Sequence, residues 1–160
     1  DENGDWGATG QIEPTLLELF MAQPYFKLPN PKSTGRELFN GDWLEIQLSH
    51  FSNVSPADVQ ATLLEFTATT IAADISLTMK PSALYVCGGG AHNAALRASL
   101  ASKLPYCQVD STAALGIHPD WVEAVAFAWM ARMRILERKI DTSAFTGAAR
   151  PVILGGIYSA

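Results

Sequence analysis

Several of the features on which a function is usually hung are scarce or missing in this sequence. Cysteine occurs only twice, as Cys87 and Cys107, with no CxxC pair and no Cys/His set around either one. A zinc-ribbon site or a disulfide framework is thereby excluded, and two buried free thiols in a reducing compartment are expected. Positive charge is in deficit, with 11 Lys and Arg against 16 Asp and Glu and a formal net charge of −5. A general nucleic-acid binder, which must neutralise phosphates with a basic patch, is excluded by that balance. No apolar run approaches the ~20 residues of a membrane-spanning helix. The GxxxxGK[ST] loop of the Walker A type and a complete GxGxxG are both absent. The opening stretch, Asp1-Glu-Asn-Gly-Asp-Trp-Gly7, has no initiator Met and no basic-then-apolar signal, so the chain is expected to be a segment of a longer polypeptide.

What is present is globular. Hydrophobic residues at 48% and charged residues at 17% suit a packed core rather than a disordered chain, and 160 residues suffice for one domain. Residues 1–12 are Gly-rich and polar and predict a loop. Pro14 can open a short helix carrying Leu16, Leu17, Leu19 and Phe20. Pro24, Pro29, Pro31 and Gly35 mark a loop. Leu44, Leu48 and Phe51 share one face of a helix capped near Asn40 or Asp42. Ser55-Pro-Ala-Asp58 has the form of a capping box, and Val59, Leu63, Phe66, Ile71 and Ile75 follow at near-helical spacing, predicting a long helix from about Pro56 to Leu77. Ala83–Cys87 reads as a buried parallel strand. It ends in Gly88-Gly89-Gly90 and leads, through a cap at Asn93, to a helix with Leu96, Leu100 and Leu104 on its buried face. Tyr106–Val109 predicts a second strand, closing a β-α-β unit. Pro119 opens a helix to about Lys139 with Val122, Ala126, Trp129, Met130 and Met133 along one side. Pro151–Leu154 is a last strand or an extended end.

Three stretches could carry chemistry. The triple glycine lets a ligand approach bare backbone, and the helix after it would offer N–H groups to a phosphate. A tight turn that simply needs glycine explains it equally. In Pro31-Lys-Ser-Thr-Gly-Arg-Glu37, Lys32 and Arg36 could hold an anion and Glu37 could pair with either; a solvated turn is the plainer reading. Asp120 and Glu123 stand where carboxylates stabilise a helix start through its dipole, by ~0.3–1 kcal/mol each. Either would serve as an acid, base or sugar partner only beneath a cleft. Of the histidines, His92 alone adjoins the glycine turn; His50 is expected at the surface and His118 receives no role.

Taken together, PYF at 24–26, PKSTGRELFN at 31–40, DVQATL at 58–63, CGGGAHN at 87–93, D..EA.AFAW at 120–129, TGA at 146–148 and VILGGIY at 152–158 resemble the anhydro-N-acetylmuramic acid kinases, in that family's order and over nearly the whole chain. The departures are small, Asn30 before Pro31 and His118 before Pro119. The resemblance implies an actin-like ATPase: two ribonuclease-H-like α/β domains, each a mixed sheet with flanking helices, around a nucleotide cleft. It implies a cytoplasmic enzyme of peptidoglycan recycling that uses ATP and Mg2+. Water opens the 1,6-anhydro sugar and O6 takes the γ-phosphoryl group, giving N-acetylmuramic acid 6-phosphate and ADP. The family's phosphate hairpin and its base aspartate precede this stretch. Residues 1–160 are therefore expected to be the C-terminal domain, with no catalytic residue and no metal ligand, inactive alone and partnered by the N-terminal half. By the same likeness Gly88, Gly89, Gly90 and Asn93 contact nucleotide and Glu123 faces the sugar. Lys32, Ser33, Thr34, Arg36 and Glu37 form a cleft or interface loop, and a homodimer is compatible with the pattern. The rival readings are a sugar kinase with another acceptor and a non-catalytic nucleotide-binding or dimerisation module. A Rossmann dehydrogenase is disfavoured, since only Asp110 loosely fits the acidic position after the turn.

Overall fold

Aromatic and small side chains divide the packing between them. The computed structural model describes residues 1–78 and 80–158. Helix α1 (Pro14–Met21) starts at a proline, with the Glu13 side chain accepting from the Thr15 N–H, and buries Leu16 and Phe20 completely. Each such side chain contributes about 1.5–3 kcal/mol by leaving water. Helix α2 (Gly41–Leu48) is capped by Asn40, whose Oδ1 accepts from Trp43 N–H at 2.9 Å. The long α3 (Pro56–Thr78) begins at the expected box: Ser55 Oγ accepts from Asp58 N–H at 3.2 Å and donates to Asp58 Oδ2 at 2.7 Å. The other Asp58 oxygen accepts from Gln11 N–H at 2.7 Å, tying the leading loop to the helix start. The Gln11 N–H first, and Ser55 next, hold that carboxyl below its ordinary range.

Phe20, Phe26, Phe39, Trp43 and Phe66 form one ring cluster, with Phe20 5.1 Å from Trp43 and 5.4 Å from Phe66. Ala61, Ala68 and Ala72 are buried on α3 as well. They allow close approach to α1, to the short turn Gly7–Thr9 and to α4 (Ala94–Lys103). A polar tie crosses between α3 and α4, where the Glu65 carboxylate accepts from Ser99 Oγ at 2.8 Å and pairs with Lys103. A second small cluster, Ala72, Leu104 and Cys107, sits under the sheet with Leu84 against it.

Strands β1 (Ala83–Val86) and β2 (Gln108–Ser111) pair in parallel, Leu84 opposite Val109 and Val86 opposite Ser111, with α4 between them in sequence. The α/β class and the β-α-β unit are as expected, but the mixed sheet is not. The described residues form two parallel strands, and antiparallel pairing is limited to one bridge, Ile140 to Val152. Pro151 and the Gly155-Gly156 pair bracket that last segment and keep it from extending into a ladder. β2 starts two residues later than expected, because Cys107 N–H closes a turn on Leu104 O at 2.9 Å. After a short turn (Pro119–Trp121), α5 (Val122–Ile135) ends well before Lys139. Glu137 adopts φ 52° while Arg138 N–H reaches Met133 O and Glu137 N–H reaches Arg134 O, a left-handed helix stop. Its expected buried side is only partly so. Val122, Met130 and Met133 are half-buried, but Trp129 is exposed, with Phe127 62% and Ile135 71% accessible. The short α6 (Ser143–Thr146) follows. No helix among the described residues is long and apolar enough to cross a membrane.

Candidate functional site

β1 delivers the chain into the glycine turn. Gly88 takes φ 65° and ψ −163°, a conformation that only glycine adopts easily. A Cβ placed on Gly88 or Gly89 would meet nothing within 4 Å, whereas one on Gly90 would touch Leu96 at 3.5 Å. The backbone of Gly88 and Gly89 is therefore bare on its outer side. The donors of this region can be counted. Gly88 N–H bonds Pro119 O at 3.0 Å, Ala91 N–H bonds Gly88 O, His92 N–H bonds Gly89 O and Asn93 N–H bonds Gly90 O. Within the turn and among the described residues, Gly89 N–H and Gly90 N–H have no such partner.

The start of α4 is where the sequence places it, at Ala94 behind an Asn93 cap. A short turn (Gly89–Ala91) carries the chain from the glycines to that cap. The helix's Ala94 N–H is taken by Asn3 O at 3.0 Å and its Leu96 N–H by Asn93 Oδ1 at 2.8 Å. These donors are not free for a phosphate, because the leading loop covers the helix end. Gly4, at φ 85°, is the point of closest approach: a Cβ there would fall 2.1 Å from Asn93 Oδ1. Asn93 is thus a helix cap wedged under the leading loop.

On its other side the turn meets the lead-in to α5. His92 Nε2 lies 2.6 Å from Asp120 Oδ1. Asp120 N–H in turn donates to His118 Nδ1 at 3.4 Å. A carboxylate only accepts, so His92 carries its proton on Nε2; His118 accepts on Nδ1, so the 3.8 Å approach of that atom to Asp120 Oδ2 is no ion pair in this tautomer. The carboxylate of Asp120 was expected to serve the helix dipole and is instead engaged by His92. His118, given no role from sequence, belongs to the same group. Nothing in the spacing announces this pairing, since 28 residues separate His92 from Asp120. Glu123 stands one helical turn further, exposed, in the first turn of α5. The structure thus brings Gly88, Gly89, Gly90 and Glu123 onto two adjoining segments.

The Pro31–Glu37 loop separates the two cations that could have held an anion. Lys32 is nearly buried, its Nζ donating to Phe26 O at 3.2 Å, 3.6 Å from Asp74 and 5.2 Å from the Tyr25 ring centre. It fastens the loop to α3 and is not available to an anion. Glu37 lies over Gly35 and, among the described residues, pairs with neither Lys32 nor Arg36. Arg36 and Ser33 are exposed. Thr34 lines an open cavity of about 520 Å³ with Phe26, Phe39, Trp43 and Asp74. The thiols also divide: Cys107 is buried as expected, but Cys87, beside the glycine turn, is exposed. His50 is at the surface. Among the described residues no three His, Cys, Asp or Glu side chains come together as a metal site.

Comparison with known proteins bears on the whole chain. The profile of the family described as "Anhydro-N-acetylmuramic acid kinase" matches residues 1–160. A Shewanella oneidensis protein named anhydro-N-acetylmuramic acid kinase is 49% identical over 160 residues, all of this chain and 43% of its own length. Relatives of the same name from Shewanella putrefaciens and Shewanella baltica are 48% and 47% identical over the same span, again 43% of their length. The chain therefore spans less than half the length of the curated relatives it matches. With every residue under the family profile, the chain belongs to the anhydro-N-acetylmuramic acid kinase family.

Proposed function

We propose that this chain is the nucleotide-binding, C-terminal domain of an ATP-dependent kinase that hydrolytically opens 1,6-anhydro-N-acetylmuramic acid and phosphorylates it at O6. The observation that carries the reading is the bare backbone of Gly88 and Gly89, with the N–H groups of Gly89 and Gly90, unpartnered among the described residues, beside it. Such donors suit phosphate oxygens without any lysine. Nucleotide contact falls to Gly88, Gly89 and Gly90. Asn93 supports the turn chiefly as a cap, and Glu123 is the residue turned to the sugar. Mg2+ would accompany the nucleotide and neutralise phosphate charge, with its protein ligands supplied by the rest of the parent. Phosphoryl transfer is catalysed mainly by positioning and charge neutralisation, and the base for the attacking water also lies in that remainder.

The exposed Phe127, Trp129 and Ile135 of α5 and the two-stranded sheet support a ribonuclease-H-like domain packed against the rest of the parent, since a parallel sheet is normally covered on both faces. A cytoplasmic enzyme of cell-wall recycling is the setting that the family membership suggests. The test is Gly89→Val in the full-length protein. The structure leaves room for the side chain, so the fold should persist while the apparent KM for ATP rises at least tenfold, about 1.4 kcal/mol of binding. Unchanged ATP kinetics in a folded variant would remove the nucleotide from this turn. Reading the gene upstream of Asp1 tests the placement of the domain.

A further inference from the structure

The His92–Asp120 pair is not used by the proposed nucleotide contacts, nor by Glu123, yet it sits between them. Two hydrogen bonds join the glycine turn to the lead-in of α5: Gly88 N–H to Pro119 O at 3.0 Å and His92 Nε2–H to Asp120 Oδ1 at 2.6 Å. His118 adds a third, bracing the same lead-in by accepting from Asp120 N–H. Pro119 is buried while the imidazole and carboxylate are about half exposed. A half-exposed pair contributes little to stability, so a purely structural account gives it almost nothing to do. Its geometric consequence is larger. The turn that carries Gly89 and Gly90 and the helix that carries Glu123 are fixed to one another across a 28-residue sequence gap, and no regular secondary structure joins them there.

We propose that His92 and Asp120 are positioning residues, a latch that sets the distance between the nucleotide's phosphate end at the glycine turn and the sugar at Glu123. The proposal rests on the functional reading above. Neither side chain is assigned contact with a reacting atom. The latch acts through the placement of two groups that must meet, and a misplacement near 1 Å can cost on the order of a hundredfold in rate. The imidazole donates from Nε2 whether neutral or protonated, so the latch needs only an ionised Asp120.

The experiment uses the full-length enzyme and compares His92→Ala, His92→Gln, Asp120→Ala and the double variant His92→Ala/Asp120→Ala. The Gln amide can place its Nε2–H close to the position of the imidazole Nε2–H. Loss of the latch should lower kcat at least tenfold while the KM for ATP moves less than about threefold. His92→Gln should recover most of that loss. The double variant should be no worse than either single one, as expected for two partners of one interaction. Wild-type kcat in both alanine variants, additive losses, or no recovery by Gln would each overturn the proposal. Should His92→Ala fail to fold, His92→Met, similar in bulk but without a donor, gives the same comparison against His92→Gln. Gly89→Val separates this proposal from the reading beneath it. If that variant leaves ATP kinetics unchanged, the nucleotide assignment has failed. If it raises the KM while the His92 and Asp120 variants behave as wild type, the latch alone has failed.

Discussion

Asn93 can be tested for its two roles separately. Its Oδ1 accepts from Leu96 N–H at 2.8 Å, and its side chain fills the space against Gly4. Asn93→Ala removes the cap, and loss of an Asn cap costs about 0.5–2 kcal/mol, typically ~1. A local cost of ~1 kcal/mol corresponds to about a fivefold rise in the open population of the first turn of α4. Amide hydrogen exchange of the full-length protein should show that rise at Leu96 and its neighbours, with distant helices unaffected. Asn93→Asp keeps the acceptor and places a negative charge at a helix start, which the dipole tolerates or favours. Leu96 should therefore stay protected in the Asp variant. Were Asn93 only a cap, the Asp variant would also keep its KM for ATP. Were it within reach of the phosphates, the added charge would weaken ATP binding at least tenfold without unfolding anything. The structure favours the first outcome, since Oδ1 is committed to Leu96. Unchanged exchange at Leu96 in Asn93→Ala would refute the cap itself, and with it the account of how the leading loop seats on α4.

Two further expectations rest on the fold and on the share of its curated relatives' length that the chain spans. Burial raises the pKa of Glu65, but hydrogen bonds from Lys103 and Ser99, with the Lys103 charge, outweigh it and leave the carboxyl below its ordinary 4.5. A depressed folded-state pKa gives stability that is present above about 4.5 and lost as pH falls through the lower folded value. The melting temperature should therefore drop below pH 4.5, and Glu65→Gln should flatten that limb; an unchanged acid limb would remove the α3–α4 tie from the stability account. Purified residues 1–160, incubated with ATP, Mg2+ and the anhydro sugar, should give no 6-phosphate product, and its detection in a preparation free of host kinase would show that the catalytic residues had been misplaced.

Local chemistry made much of the fold readable. Asn40, Ser55 and Asn93 are caps because each supplies a side-chain oxygen three residues before an unpaired N–H, and that relation is visible in sequence. The span of α3 followed from its apolar period. What was not legible depends on partners far away in the chain. Ala61, Ala68 and Ala72 carry no hydrophobic signal strong enough to announce a buried face, yet small size is what lets α3 approach its neighbours. Lys32 reads as a surface cation until Phe26 O, Tyr25 and Asp74 are seen around it. Cys87 reads as buried because it ends an apolar run, but alternation along the strand turns it outward. The sheet was expected to be mixed because the resemblance implies one, whereas the described residues pair two parallel strands. His92 with Asp120 could be found only in three dimensions.

Counting donors changes how the candidate site works. A strand, a glycine turn and a helix suggest that the helix end binds phosphate, but in this chain the Ala94 and Leu96 N–H groups at the start of α4 go to Asn3 and Asn93, leaving Ala95 N–H there, and Gly88 N–H goes to Pro119. Within the turn and among the described residues, Gly89 and Gly90 keep unspent N–H groups. The helix dipole can still act at a distance, but on the proposed reading hydrogen bonding to phosphate falls chiefly to Gly89, bare on its outer side, and to Gly90, which lies against Leu96. That narrowness has a consequence. Two donors on a short turn bind a phosphate weakly unless the turn is held still, because ordering it on binding costs conformational freedom. The turn is held on both flanks, by the Asn93–Gly4 contact toward the leading loop and by His92–Asp120 toward α5. On the proposed reading, the residues outside the nucleotide contacts are thus the ones that would fix the turn before a nucleotide arrives, and the three consecutive glycines are tolerated because their neighbours supply the rigidity they lack.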